Sequence, residues 1–267
     1  MTSNCEAAMA FTADQFHAFL AKVKLPEAPF VSDALAADDA ADFEPAASSQ
    51  AVVVGSEVVG FADGVDASLR KGFVSSLLLA QLVAEARVGN KTDVAVHHAA
   101  MREVLVNLGW LIVDEKKQRV AEKGDDLDAH TAILAVATSA LGGVALAILQ
   151  TVIDQIRTAS GKESWFKLFS RKSIAQQVAN YQLSTISASD AGVQVSLMNF
   201  LVQADTDLLQ IAFFRSQTFA ASLDVHATAF SVDADTLRAR ADAIGAKVAA
   251  FQSSYIAALE LPQAPGA

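Results

Sequence analysis

Apolar residues recur with a helical period in the first half of the chain and with a period of two in the second, and this switch predicts the architecture. Phe16, Phe19, Leu20 and Val23 share one helical face behind Thr12, a residue suited to cap a helix, so a short amphipathic helix should precede Pro26. Leu69, Phe73, Leu77, Ala80 and Ala84 mark a second helix that should stop before Gly89 and Asn90. Val94, Met101, Leu105 and Leu108 mark a third, closed by Gly109. Residues 50–65 are rich in valine and carry Gly55 and Gly60; they admit strand or helix, and helix is the preferred reading. Trp110, Leu111, Ile112 and Val113 make a short extended run before a charged turn at 114–119.

Residues 131–153, TAILAVATSALGGVALAILQTVI, contain no charge and are long enough to cross a hydrocarbon core as one helix. Their alanine and small polar content favours a buried central helix, with a latent membrane-inserting element as the alternative and no constitutive span. Trp165, Phe166, Leu168 and Phe169 lie among Lys162, Lys167, Arg171 and Lys172, a pattern read as a lysine-protected edge strand or a contact for lipid or a partner. Strict alternation follows at Tyr181–Leu183–Thr185, Val193–Val195–Leu197, Leu209–Ile211–Phe213 and Leu223–Val225–Ala227. Four half-buried strands of this kind predict an antiparallel meander, with turns at 189–192 and 204–207. A last helix, capped by Ser231 or Asp233 and burying Leu237, Ile244, Val248, Phe251 and Tyr255, should lie across the sheet.

The expected fold class is therefore α+β: helices packed around an antiparallel β-meander, with a helical N-terminal half, a β-rich C-terminal part and a terminal helix. Proline occurs at 26, 29, 45, 262 and 265 and nowhere between. That placement divides the chain into an N-terminal helix and wrapping arm (1–50), a single globular domain (51–260) and a flexible tail (261–267).

Composition narrows the function classes. The 267 residues are 52% hydrophobic and 19% charged, enough apolar content to fold around a sizeable core. A net charge of -10 repels phosphate backbones and anionic headgroups, so nucleic acid is not an expected partner. Cys5 is the single cysteine, which excludes an intrachain disulfide and a cysteine-built zinc site. The first residues lack a basic segment followed by an apolar one, and position 2 is Thr2. A cytoplasmic location is expected, with membrane association or export by a non-classical route as variants.

Candidate chemistry is sparse. No glycine-rich phosphate loop, HExxH helix or GxSxG elbow occurs, and neither a cofactor nor a metal is expected. His97 and His98 are adjacent on a predicted helix, pointing about 100° apart, and read as ordinary surface or partly buried residues. His130 near Asp125, Asp126 and Asp128 reads as a helix-capping cluster. Asp224, His226 and Thr228 share one face of a strand, the one His/Asp/hydroxyl arrangement worth testing, although a solvated sheet face is the strongly preferred reading. Asp224, His226 and Arg215 are the catalytic candidates.

The runs FVSSLLLAQLVA at 73–84 and VLVNLGWLIV at 104–113, then YQLSTISASDAG, VQVSLMNFLVQA and LLQIAFFRSQTFAASL before a terminal helix, resemble the Evf-like bacterial virulence factor family. The resemblance spans residues 12–258 and implies a compact α/β protein with helices around an antiparallel sheet, in a family associated with bacterial persistence in an insect gut. It also implies S-palmitoylation of an internal cysteine near a strand–turn junction. The corresponding residues 184–189 contain Thr185 and Ile186 and no cysteine, which leaves Cys5 as the lipidation candidate.

Three functions follow as alternatives: an Evf-like virulence or persistence factor acting by lipid or protein association, an enzyme of small-molecule metabolism with a pocket between sheet and helices, and a cytolysin whose 131–153 helix inserts. A closed interior would favour the first and a polar-lined cavity the second.

Overall fold

Valine decides the first structured segment after the N-terminal helix. β1 (Gln50–Val54) and β2 (Glu57–Phe61) form a hairpin paired from Gln50↔Phe61 to Val54↔Glu57. Gly55, at φ 59°, occupies the left-handed backbone region that a tight reversal requires. β-Branched side chains suit the pleated surface, so the helix expected at 50–65 is replaced by two strands. The structure, a computed structural model, describes residues 12–27, 45, 49–88, 94–127, 129–140, 143–159, 163–175, 178–189, 192–204 and 219–259.

The remaining elements are α1 (Ala13–Lys22), α2 (Ala67–Val88), α3 (Val94–Asn107), β3 (Leu111–Leu127), α4 (Ala129–Ala140), α5 (Gly143–Thr158) and α6 (Ser164–Ser173). They are followed by β4 (Ile174–Ala175), β5 (Val178–Ser189), β6 (Gly192–Ala204), β7 (Phe219–Val232), α7 (Ala234–Val248), α8 (Gln252–Tyr255) and β8 (Ile256–Leu259). Thr12 caps α1 through a reciprocal box with Gln15, and Asp233 caps α7 by accepting from the Thr236 amide.

One sheet holds all the strands in the order β3-β7-β6-β5-β2-β1-β8, with β4 beside β5. β5, β6 and β7 pair antiparallel as consecutive neighbours, but β2 joins β5 in parallel, so the sheet is mixed rather than a pure meander. The strand expected at 209–213 lies outside the described residues. Helices cover both faces. One layer packs Val52, Val59, Phe61, Val195 and Phe230 against α2, α3 and α7; the other packs Val53, Leu183, Met198 and Phe200 against α4, α5 and α6.

Several expected elements change identity. Residues 131–153 are divided between two described helices, α4 ending at Ala140 and α5 beginning at Gly143, with 141 and 142 outside the described residues. Each helix buries one stripe, Ile133, Val136 and Ala137 in α4 and Ile148, Leu149, Val152 and Ile153 in α5. The helix buried on all sides is α2, where every residue from Gly72 to Ala84 is buried between α3, α7 and the sheet. No helix among the described residues is long and apolar enough to cross a membrane.

The charged segment 114–119 is not a turn but part of the edge strand β3, where exposed charges protect an open strand edge. Asp125 and Asp126 belong to the same strand, opposite Ala221 and Ala220, rather than to a helix cap. Trp165, Phe166, Leu168 and Phe169 lie on α6, not on a strand; they face inward while Lys167 and Arg171 face out, which is helical spacing. The C-terminal helix packs on α2, with Leu237 and Ala241 against Gly72, and ends at Val248 before the chain returns to the sheet as β8.

Candidate functional site

The sheet face beneath α3 changes from apolar to polar along its length. Directly paired residues form a row across five strands: Glu57 on β2, Gln182 on β5, Asn199 on β6, His226 on β7 and Lys117 on β3. In the adjacent row Ser184, Leu197, Thr228 and Glu115 are paired in the same way. Helical spacing lets α3 match this change, presenting His97, His98 and Met101 in its first two turns and Val104 and Leu105 in its last, with Leu108 just beyond its end.

His98 engages β7 from this helix. Its Nε2 lies 2.9 Å from Thr228 Oγ1, and its ring centroid lies 5.6 Å from that of His226. A cavity of about 300 Å³ opens beside the cluster, bordered by Arg102, Glu115, Lys117, His98, His226 and Thr228. Arg102 is ion-paired with Glu115, whereas Lys117 makes no ion pair among the described residues.

Electrostatics keep both imidazoles neutral. Burial, reinforced by the nearby His226 and Arg102, pushes the His98 pKa down to about 3. Partial burial and then Lys117 lower that of His226, with Asp224 opposing. A neutral imidazole accepts a proton at one nitrogen while the other donates, so His98 Nε2 can accept the Thr228 hydroxyl proton. The contact holds the hydroxyl in place, whereas an imidazole lowered this far is too weak a base to activate it. His98 Nδ1 is buried without a hydrogen-bond partner among the described residues, so no protein group there fixes the tautomer.

The candidates read from the sequence are only partly assembled. Thr228 and His226 line the cavity, but Asp224 is engaged by Arg119, whose Nε and Nη2 donate at 2.7 and 2.9 Å in a fork across β3 and β7. Arg215 and Cys5 lie outside the described residues. His97 and His98 are both buried, at 3% and 5% exposure, rather than superficial. Among the described residues no three His, Cys, Asp or Glu side chains converge on a point that could hold a metal.

Sequence reasoning missed the inner members of the row. Glu57 is fully buried, takes a hydrogen bond from the Ser184 hydroxyl and another from Gln81 Nε2 at 3.0 Å, and has its pKa raised by burial to about 7. Gln81 also donates to the Val54 carbonyl at 2.8 Å, tying α2 to the hairpin. The available signal was a lone carboxylate in VVVGSEVVGF and a lone amide in LLLAQLVA.

No protein-family model matches this chain, and no curated protein matches it. Among solved structures it is similar to the Evf virulence factor, with a TM-score of 0.36 and 10% identity over 76% of this chain and 84% of that one. It is also similar to a delta-endotoxin, with a TM-score of 0.37 and 10% identity over 80% of this chain and 87% of that one. Neither likeness shows membership in the Evf-like family.

Proposed function

We propose that the protein acts on a small anionic molecule in the cavity between α3 and the β7/β3 edge. The observation that carries this reading is the buried, neutral His98 in contact with the Thr228 hydroxyl, beside His226, in a polar-lined cavity. Lys117 and Arg102 face one carboxylate, Glu115, across the opening, so the local field favours an anion although the whole chain is acidic. Thr228 and His98 form one polar wall of the cavity, and Lys117 is the group that draws in the anion. Titration of the isotopically labelled protein with inorganic phosphate and with acetate tests this. Saturable shifts of the His98 and His226 ring resonances are expected in the wild type and not in Lys117→Ala. Absence of saturable shifts with both anions would overturn it.

A second reading, an Evf-like virulence or persistence role by lipid or protein association, is favoured by a different observation. Leu111, Ile112 and Val113 are exposed at the start of the edge strand, and Val96, Val106 and Ile112 line a groove of about 650 Å³ beside them. Acylation of Cys5 would add one chain, worth a binding constant of about 10⁴ M⁻¹. Flotation with neutral vesicles, together with intact mass of cell-derived protein, separates polypeptide-driven from acyl-driven association. No comparable observation favours a cytolysin, since no helix among the described residues is long and apolar enough to cross a membrane.

A further inference from the structure

β3 has β7 on one side and no described strand on the other, and residues 111–119 are exposed along that outer edge. The run extends about 30 Å. The strand at the opposite end of the sheet, β8, has four residues, two of them buried. The Glu115 amide shows what β3 lacks: it donates to its own Asp114 Oδ1 at 2.9 Å, a place that a neighbouring strand ordinarily takes. The five large apolar side chains exposed among the described residues, Val96, Val106, Leu111, Ile112 and Val113, all lie on β3 or on α3 beside it. An open edge bordered by an apolar groove is a template for another strand.

Charges guard such an edge when they share one sign, because a second copy then meets repulsion. β3 instead carries two signs in blocks, Asp114 and Glu115 followed by Lys116 and Lys117. Reversing the strand therefore sets acidic residues against basic ones. Register shifts against β7 at 112/114 and 119/121 bracket a regular run, residues 114–119. Within it Glu115 and Lys117 border the cavity under α3, while Asp114 and Lys116 border a smaller one beside Met198 and Ala227, on the other face of the sheet. Residues directly opposite in an antiparallel pair share a face, so a two-fold axis between identical strands passes through a residue rather than between two. An axis at Lys116 puts Glu115 opposite the copy's Lys117, twice. Lys117 makes no ion pair among the described residues and gains one in this way. Lys116 falls opposite itself, but each ammonium already has its own Asp114 at 3.4 Å.

We propose that a second copy of this chain pairs antiparallel along β3 about Lys116, joining two sheets into one and closing the groove of Val96, Val106 and Ile112 in each copy. The proposal rests on the association reading and names the protein partner which that reading leaves open. A seam about 30 Å long and about 20 Å deep, one sheet plus one helix layer, covers about 600 Å² per copy. Standard interfaces bury roughly 800 Å² per partner, so a reversible dimer is expected.

Sedimentation of the whole chain should show a concentration-dependent dimer by about 0.1 mM. It is run without added phosphate, since an anion at Lys117 competes with the copy's Glu115. Glu115→Lys and Lys117→Glu each replace two opposite-charge contacts by two like-charge ones and should raise the dissociation constant at least about tenfold. An equimolar mixture of the two variants restores both contacts and should associate as tightly as the wild type. In a Cys5→Ser background, Lys116→Cys should form an intermolecular disulfide on oxidation and Gln118→Cys should not, which reads the register even if a charge variant fails to fold. A monomeric wild type at that concentration, a mixture no tighter than the single variants, or equal cross-linking at both positions would overturn the proposal. A monomer that still floats with neutral vesicles would do so too and leave lipid association standing. A dimer that does not float removes lipid association and keeps the pairing.

Discussion

His98 Nε2 and Thr228 Oγ1 meet at 2.9 Å across 130 positions of sequence, and the contact joins α3 to the centre of β7. Both residues are buried, so neither can turn to solvent for a substitute partner. Thr228→Val, which keeps the shape and removes the hydroxyl, should destabilise the fold by about 1–3 kcal/mol. Thr228→Ser should cost less than Thr228→Val. Urea unfolding midpoints measure the difference, and a Thr228→Val midpoint equal to that of the wild type would show that the contact is not formed in solution.

Glu57 and His98 pull stability in opposite directions with pH. Burial raises Glu57 from its ordinary 4.5 to about 7, so between those values the folded state keeps a proton that the unfolded chain has lost. Its contribution is complete below about pH 4.5 and falls, by on the order of 3 kcal/mol, as pH rises to about 7. His98 is lowered from 6.5 to about 3, so there the unfolded chain binds the proton first. Its contribution is complete above pH 6.5 and falls, by on the order of 5 kcal/mol, as pH drops to about 3. The two slopes cancel between about pH 4.5 and pH 6.5. Glu57→Gln should therefore expose a steep loss of stability on acidification below pH 6.5, and His98→Gln a decline from pH 4.5 to about 7. Chemical unfolding across this range is the measurement; variant profiles parallel to the wild type would contradict both assignments.

Gly60 lies where α5 crosses β2, and a methyl group added there would collide with Ile148 Cγ2. Gly60→Ala should cost about 1–3 kcal/mol by overpacking. Ile148→Ala in the same chain should make the combined loss smaller than the sum of the single losses, because it removes the colliding atom. A double-mutant cycle with no coupling would place α5 elsewhere.

Val113 is 62% exposed at the start of β3, so Val113→Lys should leave the unfolding midpoint within about 0.5 kcal/mol of the wild type. If the apolar edge mediates association, the same change should reduce flotation with neutral vesicles. Unchanged flotation would remove Leu111, Ile112 and Val113 as its basis.

Local chemistry was legible in the sequence wherever one element decides its own shape. The Thr12 and Asp233 caps, the helices around Leu77 and Leu105, and the alternation at Tyr181–Thr185 and Val193–Leu197 all follow from short-range periodicity and hydrogen bonding, and the structure contains them. His226 and Thr228 were visible as one face of a strand. Their partner His98 was not, because a helix residue and a strand residue 130 positions apart share no periodic signal. Tertiary pairing also decided that Gln50–Val54 is a strand, since β1 is held between β2 and β8. It set Glu57, Gln182, Asn199 and His226 in one row, because the register between strands fixes which side chains stand opposite one another. Helical and strand periods tell which face of an element is apolar, but only the packing of elements decides which polar residue loses its water and what stands beside it when it does.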